Sequence, residues 1–391
     1  MSPRTRAEIS AFAVEAPKEV QRIAWKLQHH KYRFEPAHGV AIPKKNKKDK
    51  RPVVIAPIPN RIVQRAVLQV VQLLPAIKEK LQRGRNFGGI EGLGVPKAIR
   101  EAYLASKATG YFIRSDIKAF FDNVPRDRAI AKIAAATKDP EFNDLLEQAT
   151  TTELRNLAEL GRDGELFPLE DIGVAQGSAL SPLLCNLLLE DLDEQMNDRG
   201  VKCIRYIDDF ILFAPNREKA FRSLASMRRT LRELNPKLDC YDPSERPDKA
   251  EESPTDSTFH FLGCEIAPGC IRPSRDARKR VIERVQKAIA DAYSAAGDPV
   301  TAIRERKSYV DSLHTIGNVI RGWGNTYSFC TDDRLMADVD RHLDQLLEQF
   351  RSRYSRLVAK SNAQDKRRLT GVFLLADCLK DEAMRQLVNK Q

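Results

Sequence analysis

The stretch RYIDDFILFA, residues 205–214, sets two adjacent carboxylates inside an apolar run that favours β-strands. A carboxylate buried without a partner is costly, so such groups are normally neutralised or bound to a cation. One interpretation is a β-hairpin whose turn contains Asp208 and Asp209, since Asp is a common turn residue. The other is a hairpin whose turn offers both carboxylates to a divalent metal.

A third carboxylate supports the metal interpretation. Asp116 ends the predicted strand GYFIRSD, residues 110–116, and pairing of this strand with the hairpin would bring Asp116 close to Asp208. Such a cluster of negative charge suits hard cations, and Mg²⁺ typically binds one or two carboxylates together with substrate phosphates. Two-metal phosphoryl transfer requires this arrangement. Taken alone, however, an Asp at the end of a strand is more often a turn residue.

A basic segment between two predicted strands, 39–43 and 52–56, could supply cations for a triphosphate. Its basic residues are Lys44, Lys45, Lys47, Lys48, Lys50 and Arg51. The alternative for such a run is a solvated turn.

The segment AQGSALSPLLCNLLL, residues 175–189, could supply a surface for a base pair. Gln176 and Gly177 at the start of a predicted helix let the backbone approach a nucleotide closely. Ser178 and Ser181 offer hydroxyl groups. As an isolated motif, this segment would indicate a helix cap and nothing more.

The composition of the whole chain limits the partners. The 391 residues have a formal net charge of +11, which suits a polyanion without distinguishing RNA from DNA or from a merely basic surface. No apolar run approaches the roughly 20 residues of a membrane span, and the N-terminus has no signal-peptide core. Seven scattered cysteines indicate reduced thiols. We therefore expect a cytoplasmic protein without a membrane partner.

Hydrophobic periodicity and turn residues predict the elements around these motifs. We expect one long N-terminal helix that Pro17 breaks, a helix capped by Asn60, and a glycine-rich loop NFGGIEGLG at 86–94. The remaining predictions are helices over most of 126–170 and over 179–197, a helix at 217–234, an irregular loop at 235–257, a strand at 258–266 and a helical region at 273–391.

The order of the motifs DIKAFFDNV (116–124), QGSALSPLLCNLLL (176–189), YIDD (206–209) and FLG (261–263) resembles the palm of reverse transcriptases. The segment RPVVIAPIPNRIVQRAVLQVV (51–71) is similar to the fingers of the group II intron-type enzymes. IRGWGNTYSF (320–329) resembles their thumb signature. Ala175 and Ile207 depart from the usual Pro and Ala of that lineage.

The resemblance implies an α+β right-hand polymerase fold. Fingers and palm would combine an antiparallel sheet with helices, and the thumb and C-terminal domain would be α-helical. The expected domains are an N-terminal helix and fingers (1–110), a palm (111–272) with a helical insertion at about 126–170, a helical thumb (273–330) and a C-terminal helical extension (331–391).

The resemblance also implies roles for site residues. Asp116 and Asp208 would be the main ligands of two Mg²⁺ ions, with Asp209 as the third, less direct carboxylate and Ile117 offering its carbonyl. Phe121 corresponds to the aromatic residue that crowds a 2′-hydroxyl. The dNTP-binding residues would be Arg51, Lys44 or Lys45 at the triphosphate, Gln176 along the nucleotide pocket, and Lys249 or Lys237 as the general acid for pyrophosphate.

Basic residues recur at helical spacing in RDARKRVIERVQK, residues 275–287, and Arg278, Lys279 and Arg280 could lie on an RNA-binding surface. The alternative is a solvated helix whose charges are balanced by nearby Asp and Glu. Trp323 and Tyr327 are expected to pack between thumb helices.

Together these features predict an RNA-directed DNA polymerase, or reverse transcriptase. It would make cDNA by two-metal nucleotidyl transfer on an RNA template, and among its relatives it most resembles stand-alone antiphage defence enzymes that copy a dedicated structured noncoding RNA. The alternative is a group II intron-type maturase that acts mainly as an RNA-binding splicing factor. An RNA-dependent RNA polymerase is disfavoured by Phe121, because such an enzyme must admit the 2′-hydroxyl.

Overall fold

A computed structural model describes residues 3–44, 49–83, 85–198 and 200–378. The chain divides into two compact units, Met1–Ser257 and Thr258–Gln391. The finer division into fingers, palm, thumb and extension stays a prediction.

In the described part of the first unit there are six strands, and most of the helices lie there too. Its strands are β1 (His38–Pro43), β2 (Lys50–Ile55), β3 (Tyr111–Asp116), β4 (Lys202–Tyr206), β5 (Asp209–Ala214) and β6 (Glu251–Pro254). Its α-helices are α1 (Pro3–Gln28), α2 (Ile58–Leu73), α3 (Pro75–Arg83), α4 (Val95–Ala108), α5 (Phe120–Asn123), α6 (Arg126–Thr137), α7 (Pro140–Thr150), α8 (Leu157–Leu160), α9 (Ser181–Leu188), α10 (Glu190–Asp198) and α11 (Arg217–Leu234), with a 3₁₀ helix at Gly161–Leu166.

A four-stranded antiparallel sheet of order β4-β5-β3-β6 forms the centre of this unit. Residues 210–214 of β5 are all buried, which explains why this strand is a continuous apolar run and not an alternating one. Helix α11 packs on β3 and β5, and α4 packs on β4 and β5. A separate antiparallel hairpin pairs β1 with β2.

The second unit begins with a three-stranded antiparallel sheet of β7 (Phe259–Phe261), β8 (Cys264–Ala267) and β9 (Cys270–Pro273). Helices follow: α12 (Arg275–Ala295), α13 (Pro299–Arg304), α14 (Tyr309–Thr326), α15 (Asp333–Ala359), α16 (Ala363–Thr370) and α17 (Leu375–Cys378). Trp323 packs against this helical core, as predicted, and donates a hydrogen bond to the carbonyl of Ala277 at 3.3 Å. Its ring lies 5.2 Å from that of Tyr327.

Two predictions about helix ends are wrong. Helix α1 continues through Pro17 as one helix, at the cost of the hydrogen bond that a proline nitrogen cannot donate. Helix α2 starts before Asn60, which therefore does not cap it. The buried Asn60 amide instead donates to the carbonyl of Glu35 at 2.8 Å and accepts from the Tyr32 hydroxyl at 3.0 Å. Its side chain is used in a tertiary contact, which local sequence does not reveal.

Three further predictions missed a break in an element or missed a strand. The helix expected over 179–197 is divided into α9 and α10 at Leu189, and apolar periodicity does not detect so short an interruption. The expected loop at 235–257 contains β6, a charged edge strand paired with β3. The strand expected at 258–266 turns at Leu262 and Gly263, both with positive φ. Because Leu rarely adopts this conformation, the apolar run concealed a two-residue hairpin turn.

None of the helices within the described ranges combines the length and apolarity that crossing a bilayer requires.

Candidate functional site

The predicted carboxylates meet at one end of the central sheet. Asp116 at the end of β3 is the register partner of Asp209 at the start of β5. Asp208 lies in the two-residue turn between β4 and β5, where its carbonyl accepts a hydrogen bond from the Ile117 amide at 3.0 Å. In the sequence, Asp116 is 92 positions from Asp208 and 93 positions from Asp209. Antiparallel pairing therefore brings distant carboxylates together.

Burial and mutual repulsion disfavour the charged form of these carboxylates. Burial raises the pKa of Asp209 to about 6, and the charges of Asp208 and Asp116 raise it as well. Burial, followed by the charge of Asp208, also raises the pKa of Asp116. Asp208 has a raised pKa mainly because it is partly buried. None of the three forms an ion pair within the part of the chain that the structure describes.

The donor set fits a hard divalent cation. Carboxylate oxygens are the ligands that Mg²⁺ prefers, and the raised pKa values indicate negative charge that the surroundings do not neutralise. Among the described residues, no group of three or more His, Cys, Asp or Glu side chains is already gathered into a metal-binding arrangement. The metal roles of Asp116, Ile117, Asp208 and Asp209 therefore remain predictions.

Arg51 and Lys249 lie within electrostatic reach of the carboxylates. Burial raises the pKa of Asp208, whereas the charge of Arg51 lowers it. Burial and Asp208 raise the pKa of Asp116, whereas Lys249 and Arg114 lower it. Of the two candidate general acids, Lys249 is thus the one coupled to Asp116. Sequence reasoning missed Arg114, although its position two residues before Asp116 on β3 places it on the same face.

Lys50 and Arg51, the basic residues at the start of β2, differ in their surroundings. Lys50 forms an ion pair with Asp163 at 2.6 Å, so its charge is already used to hold the segment beside the 3₁₀ helix. Neighbouring residues of a strand point to opposite faces, which separates Arg51 from Lys50. The predicted positions Lys45, Lys47 and Lys48 lie outside the described residues.

Gln176 is held by a contact that the sequence did not suggest. Its side-chain amide donates to the Asp122 carboxylate at 3.1 Å, and its main-chain carbonyl accepts from the Val54 amide at 2.8 Å. Partial burial raises the pKa of Asp122, while the hydrogen bond from Gln176 and the charge of Lys44 lower it. Gln176 and Lys44 thus both interact with the carboxylate of Asp122, the residue after Phe121. Position 177 requires glycine, since its φ is +120° and a Cβ would lie 2.6 Å from the Val54 carbonyl oxygen.

The structure distinguishes the two adjacent phenylalanines of the motif DIKAFFDNV. Phe120 is 2% exposed and belongs to the hydrophobic core. Phe121 is only partly buried. Helix α9 begins at Ser181, four residues later than Gly177. The Ser181 hydroxyl is buried and donates to the Ala175 carbonyl at 2.7 Å, so it supports the loop and is not exposed to a base pair.

Residues 239–241, within the predicted irregular loop, hold the strand end that contains Asp116. The Tyr241 amide donates to the Asp116 carbonyl at 3.3 Å, and the Lys118 amide donates to the Asp239 carbonyl at 2.7 Å. The Asp239 carboxylate accepts hydrogen bonds from Arg228 and Lys118.

The predicted RNA-binding residues of α12 differ in their surroundings. The half-buried Arg278 lies 3.5 Å from Glu265, and Lys279 lies 3.7 Å from Glu283 one turn later. Arg280 is exposed. Three consecutive residues are spread around a helix, so these cannot form a single basic stripe.

Comparison with known proteins identifies a family. The sequence profile of "Reverse transcriptase (RNA-dependent DNA polymerase)" matches residues 42–266. Protein YkfC of Escherichia coli is 25% identical over 316 residues, covering 71% of this chain and 78% of that protein. The group II intron-encoded protein LtrA of Lactococcus lactis is 25% identical over 178 residues, covering 45% of this chain and 28% of LtrA.

A protein of Schizosaccharomyces pombe, named "Uncharacterized 91 kDa protein in cob intron", is 31% identical over 179 residues. The alignment covers 45% of this chain and only 20% of that protein. The family match, together with the mixture of helices and antiparallel sheets, confirms the predicted fold class. Because residues 42–266 are more than half of the 391-residue chain, this chain belongs to the reverse transcriptase family, and its reverse transcriptase domain is homologous to group II intron-encoded proteins.

Proposed function

We propose that this chain is an RNA-directed DNA polymerase that makes cDNA from an RNA template by two-metal nucleotidyl transfer. The observation that supports this most is the meeting of Asp116, Asp208 and Asp209 at one end of the sheet. A protein that only binds RNA gains nothing from buried carboxylates that repel one another, because they cost stability. The cost is explained if the carboxylates bind the cations of a catalytic site.

In this proposal, Asp116 and Asp208 are the main ligands of two Mg²⁺ ions, with Asp209 and the Ile117 carbonyl as further ligands. When bound, such ions lower the pKa of the attacking primer hydroxyl and neutralise charge on the leaving pyrophosphate. The protein supplies the position of the ligands. Pairing of β3 with β5 fixes Asp116 opposite Asp209, and the Ile117 amide holds the carbonyl of Asp208.

Basic residues on both sides of the carboxylates would bind the dNTP. Arg51 and Lys44 would contact the triphosphate, and the proposal is supported by their lowering effects on the pKa values of Asp208 and Asp122 respectively. Lys45 would assist from the same segment. Gln176, oriented by Asp122, would line the nucleotide pocket. Lys249, which acts on Asp116, would give a proton to the departing pyrophosphate.

Primer extension tests the proposed activity. We expect the purified protein to extend a DNA primer on an RNA template when dNTPs and Mg²⁺ are present, and to stop when EDTA is added. Extension by ribonucleotides in place of dNTPs would contradict the assignment as a DNA polymerase. If the protein binds the RNA template with its DNA primer but adds no nucleotide with any divalent metal, the proposed activity itself is contradicted.

The names of two relatives favour a second candidate, a maturase that helps an intron fold and splice. LtrA is named as a group II intron-encoded protein, and the S. pombe protein is named after an intron of cob. A maturase would accelerate splicing of its intron RNA even with Asp208→Asn, because RNA folding needs no catalytic carboxylates. Splicing activity that survives this substitution, together with a wild type that extends no primer, would establish the maturase function over the polymerase function.

We further propose that the template is a structured noncoding RNA and that the biological role is antiphage defence. The support for this part is the likeness of the motifs to those of stand-alone defence enzymes. RNA that copurifies with the protein and matches the sequence of its cDNA product would support it. Copurified RNA that instead maps to an intron flanking the gene would contradict it.

The basic residues of α12 are proposed to contribute to RNA binding. If about 5 phosphates are neutralised, the logarithm of affinity should fall with the logarithm of salt concentration at a slope of about −3.5 to −4.5. Changing Arg278, Lys279 and Arg280 together to Ala should weaken binding and reduce this slope. Of the three, Arg280 should contribute most, since the other two already have acidic neighbours.

A charge-matched variant controls for the loss of three positive charges. Arg162, Arg222 and Arg229 are exposed residues of the first unit, and their joint change to Ala should leave the slope close to that of the wild type. Filter binding across a salt series measures both variants. Equal slopes for the two variants would contradict a specific role of α12 in RNA binding.

A further inference from the structure

A buried ionic network lies directly behind the turn that contains Asp208. Arg205 of β4 is only 1% exposed, and its Nε donates to a carboxylate oxygen of Asp193 in α10 at 2.7 Å, with a second hydrogen bond from Nη2 to the other oxygen. Asp193 is 3% exposed. This bidentate pair satisfies the carboxylate and fixes the plane of the guanidinium group.

The remaining nitrogen of Arg205 reaches the turn itself. Its Nη1 donates to the carbonyl of Ile207 at 2.7 Å and to the side-chain oxygen of Asn186 at 3.2 Å. The amide of Asn186 in turn donates to the carbonyl of Gly88 at 2.7 Å. The guanidinium group thus connects α9 and α10 with the residue that precedes Asp208.

Ile207 has a backbone conformation that it would not adopt unaided. Its φ is +63°, in the left-handed region that a β-branched residue strongly disfavours. Such a conformation persists only where the surrounding structure holds it, and it is common at functional sites. Gly88 is part of that surrounding structure, because a Cβ at this position would lie 2.6 Å from Cγ1 of Ile207.

Asn86 holds the other main-chain polar group of Ile207, its N–H. Its side-chain oxygen accepts from the Ile207 amide at 3.4 Å and from the Gly88 amide at 3.2 Å. The backbone beside Asn86 is tied to β4 as well, since the Phe87 amide donates to the carbonyl of Arg205 at 2.8 Å. Both the N–H and the C=O of Ile207 are therefore held by buried side chains, Asn86 from outside the hairpin and Arg205 from β4.

We propose that Arg205 and Asn86 are positioning residues, which hold the main chain of Ile207 and thereby set where Asp208 and Asp209 stand relative to Asp116. Neither side chain contacts substrate in this proposal, and both act through the turn. The inference rests on the proposed polymerase function. It assigns to the network a contribution to metal binding and catalysis that is separate from its contribution to folding.

The alternative is that the network only stabilises the fold. Breaking a buried ion pair by removing one partner is strongly destabilising, while replacing both partners by apolar residues is often neutral. A purely stabilising network would therefore leave metal binding unchanged in every variant that folds. A positioning network would not, because residues that orient metal ligands typically affect metal affinity about 10–100-fold.

Two variants separate these possibilities. Asn86→Ala removes the acceptor of the Ile207 amide. The double variant Arg205→Met/Asp193→Leu removes the ion pair without leaving a buried charge. Asn60→Ala is the matched control, since Asn60 and Asn86 are both 3% exposed amides that hydrogen-bond to backbone groups.

The main measurement does not depend on turnover. Mn²⁺ is titrated into the complex of the protein with an RNA/DNA hybrid, a primer without a 3′-hydroxyl and the next dNTP, and free Mn²⁺ is followed by its electron paramagnetic resonance signal. We expect Mn²⁺ affinity about 10-fold or more weaker in Asn86→Ala and in the double variant. The single-turnover rate with a normal primer should fall by about 100-fold. Hybrid affinity should stay within about twofold in every variant, and the Asn60→Ala control should retain wild-type Mn²⁺ affinity and rate.

The outcomes distinguish this inference from the proposed function. Wild-type Mn²⁺ affinity and rate in a folded Asn86→Ala and in the folded double variant would overturn the positioning role alone. A wild type that binds Mn²⁺ and loses it in these variants, but never extends a primer, would overturn polymerase activity alone. If the wild type shows no Mn²⁺ binding that Asp208→Asn weakens, both the positioning role and the polymerase activity are overturned. Loss of affinity in the Asn60→Ala control to the same extent would show a nonspecific effect and also overturn the inference.

Discussion

Changing Asp208 or Asp116 to Asn is expected to reduce Mg²⁺-dependent dNTP incorporation by at least about 10³-fold, because several kcal/mol of transition-state charge stabilisation are lost with a ligand of the cations. Asn has the same shape as Asp, so hybrid binding should remain. The measurement is single-turnover extension of a DNA primer on an RNA template. Asp191→Asn, which changes an exposed carboxylate of α10, is the control and should extend the primer like the wild type. Normal incorporation by Asp208→Asn would refute the assignment of the site.

Stability should move in the opposite direction from activity. The pKa of Asp209 is raised to about 6 by burial and by its two neighbouring carboxylates, above the unfolded value of about 3.9. The charged form therefore destabilises the folded state. This destabilisation is fully present above pH 6, decreases as pH falls through the folded pKa, and is absent below the unfolded pKa.

Asp209→Asn should accordingly stabilise the protein at pH 7.5 in EDTA by about 1–3 kcal/mol. The gain should shrink towards pH 4, where the wild-type carboxyl is also neutral. Chemical denaturation at the two pH values measures the difference. A variant that is less stable than the wild type at pH 7.5 would show that the carboxylate is satisfied in the folded protein, which argues against a cluster in need of cations.

The sequence allowed the position of the carboxylates to be predicted because strand patterns are local. An apolar run ending in Asp116 and a second run starting at Asp209 can pair in few ways, and the antiparallel pairing places these two residues opposite one another. The turn at Leu262 was not predicted, because no local sequence pattern indicates it. Its backbone conformation is rare for that residue type, so composition gave no sign of it.

Partners of individual side chains could not be predicted. Asp193 and Arg205 are 12 positions apart and lie on a helix and a strand, so no helical or strand periodicity connects them. The same holds for Asp122 and Gln176, 54 positions apart. Such pairs are set by how the elements pack. For Arg205, the available signal was a charged residue directly after the apolar residues Cys203 and Ile204, since a buried charge requires a partner.

The second large effect is expected at Phe121. Its ring is half-buried, and the carboxylate of the next residue, Asp122, accepts a hydrogen bond from Gln176, which would line the nucleotide pocket in the proposed complex. Phe121→Val removes ring volume and should open space for a 2′-hydroxyl. We expect the preference for dNTP over the matching ribonucleotide, measured as the ratio of kcat/KM values, to fall by about 10–100-fold.

Phe120 provides the control for this experiment, because the two rings differ in burial and not in type. Phe120→Leu changes the packing of a residue that is 2% exposed, and it should lower the melting temperature while leaving sugar discrimination unchanged. If Phe121→Val instead lowers the melting temperature and leaves discrimination unchanged in an active enzyme, Phe121 is a packing residue like its neighbour. Phe121 would then no longer disfavour an RNA-dependent RNA polymerase, because exclusion of the 2′-hydroxyl would have to come from another part of the site.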